Sequence, residues 1–184
     1  GLDVRPTYPI SLIPPGKSTH HLKISGSEKL QTGTFKTLVQ IRDFHGFDSE
    51  AASFEFTTQK YQPPLVKVAD HGFSSIAGGK ITVMQTIYLD IIIQNKGQGV
   101  ASNVDVAISC PAEVLPLNGS EFHYDALDPN QSVSIKYQFI ANNQYNKPSI
   151  PIEIKVTESK GLYGDNTTAT VNLEEVLPKM KIFD

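Results

Sequence analysis

The chain has 184 residues, 39% of them apolar, with one cysteine and a formal net charge of −3. This length allows one or two domains with a real core, and a single cysteine excludes an internal disulfide framework and a multi-cysteine zinc site. The slightly acidic charge, without any Lys/Arg block, gives no reason to expect nucleic acid or an anionic membrane surface as a partner.

The earliest strand-like stretch covers residues 35–41, where Phe35, Val39 and Ile41 alternate with polar residues. A spacing of two is the period of a β-strand, whose successive side chains point to opposite faces. Leu38 is the exception, because it places an apolar side chain on the nominally polar face.

The same alternation returns in four later stretches, residues 87–93, 104–110, 133–139 and 150–156. Strands with one apolar and one polar face are half-buried and mostly antiparallel. Ile92 is apolar on an outward face, as Leu38 is. Pro151 should demote its strand toward an edge or a bulge, because proline has no backbone N–H to donate.

Turn residues separate these stretches, and no window shows convincing helical periodicity. The one helical candidate, LEEVLPKMKIF near the C-terminus, is interrupted by Pro178 and is interpreted as a strand end followed by a linker. The longest apolar run, residues 91–93, is too short to span a bilayer. We therefore predict an all-β chain of antiparallel β-sandwiches.

Residues 12–58 and 126–173 resemble each other, with an offset of 114 positions that grows by one along the repeat. Only the second copy has strand-rich sequence before it. We therefore predict an incomplete module over residues 1–62, a complete one over 63–177 and a linker to a downstream domain over 178–184. The missing strands lie upstream, or a neighbour or a second copy of the chain covers the exposed sheet face, which would make a homodimer.

One motif carries a family resemblance: Asn95-Lys96-Gly97-Gln98-Gly99, followed by alternating valines and by Leu127, Pro129 and Ser132. The second module resembles the immunoglobulin-like modules of the CARDB type. Similar modules stand beside caspase-like peptidase domains in bacterial multidomain proteins, so the resemblance implies a bacterial, secreted, periplasmic or cell-surface protein. Relatives often carry an acidic loop that could hold calcium, but here Asp70 is the only carboxylate in that loop.

Cys110 is the only candidate thiol nucleophile, and it shares the phase of Val104, Val106 and Ile108. It should therefore point into the core, where a cysteine behaves as a small hydrophobe with little reactivity. The residues around it, AISCPAE, do not match the caspase pattern Q-A-C-x-G. We predict no catalytic residue.

The best charged cluster is Asp43, His45 and Asp48, in a loop that also holds Glu50. It could be an acid/base or metal site, but a polar hairpin turn explains the same residues better. His20 and His21 are neighbours on a predicted strand and point to opposite faces, so they do not share a metal. We predict no metal and no cofactor.

The predicted function is a non-catalytic spacer or protein-interaction module, with a carbohydrate- or surface-ligand-binding module as the alternative. Protein partners would be the neighbouring domains or a second copy, bound through open sheet edges. A carbohydrate site would use exposed tyrosines. The candidate interaction surface comprises Leu38, Ile92, Tyr88, Tyr145 and Tyr163.

Overall fold

A computed structural model describes residues 2–4, 7–10, 16–76 and 78–174. Over these residues the chain is all-β, as predicted, and every sheet is antiparallel. The described residues include no helix, and so none with the length and apolar character to cross a membrane. The helical candidate around Pro178 and the linker predicted for residues 178–184 lie outside the described part.

The chain divides into two units, Gly1–Tyr61 and Gln62–Asp184, one residue before the predicted boundary. The first unit contains two separate two-stranded sheets, β1 with β2 and β3 with β4. Their bounds are β1 Leu2–Val4, β2 Ile24–Gly26, β3 Gly33–Val39 and β4 Ala52–Thr58.

The second unit is a sandwich of two four-stranded sheets, in the orders β5-β6-β10-β8 and β12-β11-β7-β9. When the short strand β8 is left out, the other seven strands can be counted from 1 to 7 in chain order. Strands 1, 2 and 5 then form one sheet and strands 3, 4, 6 and 7 the other, which is an immunoglobulin-like arrangement. The strands are β5 Val66–Ser75, β6 Thr86–Asn95, β7 Ala101–Ser109, β8 Val114–Pro116, β9 Glu121–Leu127, β10 Ser132–Ala141, β11 Ser149–Thr157 and β12 Asp165–Asn172.

The core lies between these two sheets and is formed by the side chains that the alternation predicts to be on the apolar face of each strand. Ile87, Leu89, Ile91 and Ile93 of β6 are all 0% exposed. They lie beside the buried residues of β10 in the same sheet and face those of β7 and β11 in the other, and all belong to one apolar cluster. Burying a large aliphatic side chain contributes about 1.5–3 kcal/mol, so this cluster accounts for most of the stabilisation of the unit.

Pro151 does not place β11 at an edge, and the pairing of β11 with β12 has no bulge there, so the prediction of an edge or a bulge was wrong. β11 is an inner strand, paired with β12 on one side and with β7 on the other. The pairing with β7 begins only at Glu153, whereas that with β12 already includes Pro151. Proline is therefore accommodated where the strand has a neighbour on one side alone.

The sequence repeat corresponds to two hairpins with the same register. In the first unit Phe35 pairs with Phe56 and Thr37 with Phe54. Moved along the chain by 115 positions, these become the pairs of Ile150 with Val171 and of Ile152 with Ala169, both of which β11 and β12 form. The hairpin of β3 and β4 is thus a structural copy of the hairpin of β11 and β12.

Candidate functional site

The Asn-x-Gly-x-Gly motif forms the turn from β6 to β7, and Asn95 lies at its centre, 0% exposed. Its side-chain oxygen accepts hydrogen bonds from the backbone N–H groups of Leu65 and Gly97, both at 3.0 Å. Its side-chain nitrogen donates to the carbonyls of Gly99 at 2.8 Å and Leu127 at 2.9 Å. An amide has two acceptor and two donor positions, so the fold uses all four.

The two glycines of the motif leave room for the segment of residues 62–65, which leads from the first unit into β5 and is called the strap below. A Cβ on Gly97 would overlap the backbone of Pro64 and Leu65, and one on Gly99 would overlap the carbonyl oxygen of Gln62. The carbonyl of Pro63 accepts hydrogen bonds from the N–H groups of Gln98 and Gly99. The motif therefore fastens the strap to the module.

A second polar centre is Glu158, which is 6% exposed and lies in the turn from β11 to β12. Its carboxylate accepts hydrogen bonds from the N–H groups of Lys160, Leu162 and Tyr163 at 2.7–3.2 Å. Burial alone would raise the pKa of Glu158, but these bonds and one from the Ser159 hydroxyl lower it overall. The carboxylate of Glu158 therefore binds backbone N–H groups of its own turn.

The equivalent turn of the first unit contains the predicted cluster of Asp43, His45 and Asp48. Asp43 accepts a hydrogen bond from the N–H of His45 at 2.8 Å, and Asp48 accepts one from the N–H of Asp43 at 2.9 Å. The interpretation as a polar hairpin turn is thus confirmed. Gly46 and Gly161, at equivalent positions, both have positive φ, +87° and +67°, a region that glycine adopts without steric cost.

Asp165 is the first residue of β12 and contacts β5 close to the point where the strap enters that strand. One carboxylate oxygen lies 3.0 Å from Lys67 Nζ, and the other accepts a hydrogen bond from the N–H of Val68 at 3.0 Å. Burial would raise the pKa of Asp165, but the hydrogen bonds from Val68 and Lys67 and the charge of Lys67 lower it overall.

Acidification should therefore destabilise the second unit. Glu158 and Asp165 have lower pKa values in the folded chain than their ordinary values of 4.5 and 3.8, so the unfolded chain binds more protons as the pH falls. The stability that they contribute is present above the ordinary values and is lost as the pH falls through the folded values. We expect the melting temperature, followed by circular dichroism, to fall progressively below about pH 4.5. A constant or rising melting temperature between about pH 4.5 and 3 would contradict this assignment.

Cys110 lies just beyond β7, half-buried against the core as its phase predicts. Its sulfur is 3.3 Å from the carbonyl oxygen of Val114 and 3.6 Å from the hydroxyl oxygen of Tyr137. Burial and then the hydrogen bond with the thiol raise the pKa of Tyr137. These contacts give the thiol a packing role.

We expect Cys110 to react with iodoacetamide at least about ten times more slowly in the folded chain than in concentrated urea, because its sulfur faces Val114 and Tyr137. The measurement is the rate of alkylation by mass spectrometry, with free cysteine as the reference thiol. Equal rates in the folded and unfolded chains would contradict the packing role.

The predicted interaction residues belong to both units, Leu38 to the first and the other four to the second. Leu38 is 67% exposed and Ile92 37%, on outward faces of separate units. Tyr88 is half-buried, with Lys136 Nζ 5.9 Å from its ring centre, and Tyr163 is half-buried as well. Tyr145 was predicted to be exposed, and that was wrong: it is buried, and its hydroxyl donates to the carbonyl of Ser149.

One charged cluster was missed by the sequence reasoning. His123 Nδ1 lies 2.7 Å from Asp105 Oδ1, and His123 Nε2 lies 3.4 Å from Asp125 Oδ1, on the exposed face of β7 and β9. The hydrogen bond to Asp105 is the largest cause that raises the pKa of His123. The cluster could be found only from the cross-strand pairing of Asp105 with His123, which requires the register of β7 and β9 to be known. Among the described residues no group of three or more His, Cys, Asp or Glu side chains has a metal-binding arrangement.

Comparisons with known proteins add little to this description. No protein-family model matches the chain, and no curated protein matches it. Among solved structures, the chain is similar to a FixG-related protein from Vibrio parahaemolyticus, with 12% identity and a TM-score of 0.39. The match covers 57% of this chain and 97% of that one.

Proposed function

We propose that the chain is a non-catalytic pair of immunoglobulin-like modules of the CARDB type, which serves as a spacer and protein-interaction module. The larger protein would be bacterial and secreted or held at the cell envelope, with the modules flanking a caspase-like peptidase domain. The resemblance of residues 65–173 to such modules supports this proposal. Its partners would be neighbouring domains of that protein.

The observation that carries the spacer role is the fastening of the strap. A spacer transmits position only if the chain that enters a module is fixed to it. Here Asn95 accepts from the N–H of Leu65, the carbonyl of Leu65 accepts from the N–H of Lys96, and the carbonyl of Pro63 accepts two further bonds. The strap is therefore held through its backbone, so its attachment does not depend on long, mobile side chains.

Nitrogen-15 relaxation of the strap tests this role. We expect backbone order parameters of about 0.85 for residues 62 and 65, equal to those of β6, because their backbone is fastened to the module. Gly99→Ala should lower them, since the added Cβ would overlap the carbonyl of Gln62. Values below about 0.6 in the unaltered chain would show a freely moving strap and contradict a spacer.

Carbohydrate binding gains no support from Tyr88, Tyr145 and Tyr163. Tyr145 is buried, and Tyr88 and Tyr163 are half-buried in different parts of the second unit. A stacking site needs at least two exposed rings side by side, and these three do not form one.

A further inference from the structure

The first unit copies a hairpin of the second unit, but its described residues include no strand equivalent to β7 beside that hairpin. In the second unit β7 pairs with β11 from Glu153, opposite Ser109, to Thr157, opposite Asp105. The equivalent residues of the first unit are 38–42, called the open edge below. Among the described residues of that unit, β3 pairs with β4 alone.

The strand is also shorter where this neighbour is missing. β11 continues to Thr157, whereas β3 ends at Val39, three positions before the equivalent residue. The hairpin itself still closes there, since the carbonyl of Ile41 accepts a hydrogen bond from the N–H of Ser49 at 2.9 Å. Residues 40–42 thus retain their cross-hairpin contact, and no described strand of the first unit pairs with their other side.

Apolar and polar side chains alternate along the open edge as they do in a buried strand, but the apolar ones are less buried than their equivalents in β11. Val39 is half-buried and Ile41 is 49% exposed, whereas the equivalent Ile154 and Val156 are 0% and 2% exposed. The apolar face continues along the hairpin to Phe54, which is 56% exposed. Phe35 and Phe56 stack beside it with ring centres 6.1 Å apart. An apolar face of this kind indicates a surface that another chain segment covers.

We propose that the open edge binds an extended strand donated by a protein partner, antiparallel to residues 38–42, with β-branched residues facing Val39 and Ile41 and an acidic residue opposite Arg42. This inference deepens the proposed interaction role and rests on it. The pairing of β7 with β11 supplies the chemistry of the ligand. In the same register, a strand with the β7 sequence would place Ile108 opposite Val39 and Asp105 opposite Arg42.

The physical basis is strand addition at a sheet edge. Backbone hydrogen bonds provide affinity for any extended segment, and alternate side chains select among such segments. Here the selection has two parts: apolar contact at Val39 and Ile41, and charge complementarity at Arg42. Cross-strand pairs of opposite charge contribute about 0.2–1 kcal/mol, and like charges opposite each other destabilise.

The probe is a fluorescent synthetic peptide with the sequence of residues 100–111, carrying Cys110→Ser, titrated with the full chain and followed by anisotropy. We expect saturable binding that Arg42→Glu weakens about fivefold to tenfold. A peptide with Asp105→Lys should bind the Arg42→Glu chain as tightly as the original pair binds. Lys60→Glu, the same charge change in the same unit but outside the open edge, should alter the affinity by less than about twofold.

Three results would overturn the proposal. The first is no saturable binding to a chain whose circular dichroism shows it folded. The second is binding that Arg42→Glu leaves unchanged, which would mean that the peptide replaces β7 in the second unit. The third is a dimer by light scattering at the titration concentration, which would place a second copy on the open edge. The order parameters of the strap are independent of all three, so failure here is distinct from failure of the spacer role.

Discussion

Asn95→Ala is expected to lower the free energy of unfolding of the second unit by about 3–5 kcal/mol. The substitution leaves the N–H groups of Leu65 and Gly97 and the carbonyls of Gly99 and Leu127 without their partner. A buried polar group that loses its hydrogen bond costs about 1–3 kcal/mol, and relaxation of the turn recovers part of the sum. Urea unfolding followed by circular dichroism measures this change in the free energy of unfolding.

Gln98→Ala is the matched control, because Gln98 belongs to the same turn and its side chain is exposed. Its N–H donates to Pro63, and alanine keeps that bond. We expect a change within about 0.5 kcal/mol. If Asn95→Ala were as mild as this control, the turn would not depend on the buried amide.

Glu158→Ala is expected to cost about 2–4 kcal/mol, because three backbone N–H groups lose a charged, buried acceptor. The repeat offers a control at the equivalent position, Asp43, whose side chain is 45% exposed and accepts from the N–H of His45. Water replaces a lost partner at an exposed site, so Asp43→Ala should cost less than about 1 kcal/mol.

Thermal and urea unfolding of both variants gives the comparison. Glu158→Gln should lie between the unaltered chain and Glu158→Ala, because glutamine keeps one acceptor oxygen and loses the charge. Equal losses for Glu158→Ala and Asp43→Ala would mean that burial does not distinguish the two turns.

The sandwich could be predicted from alternation because burial on one face of a strand imposes a period of two. Ile87, Leu89, Ile91 and Ile93 share one phase, and all four are inside. The same rule identified Leu38 and Ile92 as exposed apolar residues. Alternation reports the two faces of a strand, so it succeeded wherever the strand is regular.

Alternation carries no information outside regular strands or about which strands pair as neighbours, and the two errors concern these matters. Tyr145 lies in the turn between β10 and β11, so no phase indicated that its ring is buried. Pro151 was assigned to an edge from its missing N–H, but whether a neighbour reaches a given residue depends on where that neighbour ends. Such information is in the pairing of strands and not in either strand alone.

The polar centres were only partly predictable. Asn95 was noticed as part of a motif, yet its four hydrogen bonds reach residues as distant as Leu127. The role of Glu158 has a sequence signal that the repeat contains: an acidic residue three positions before a glycine in both turns, Asp43 with Gly46 and Glu158 with Gly161. The contact between Asp105 and His123 has none, because it depends on the register of two strands.

The central claim is that the described part of the first unit repeats the hairpin of β11 and β12 without a counterpart of β7 paired beside it, and so has an open edge. Amide hydrogen exchange of the full chain, measured by mass spectrometry, tests this claim most directly. We expect residues 38–42 to exchange on the order of a thousand times faster than the equivalent residues 153–157, which β7 and β12 protect. Equal protection of the two segments would contradict the claim, because it would mean that the edge of the first unit is already paired.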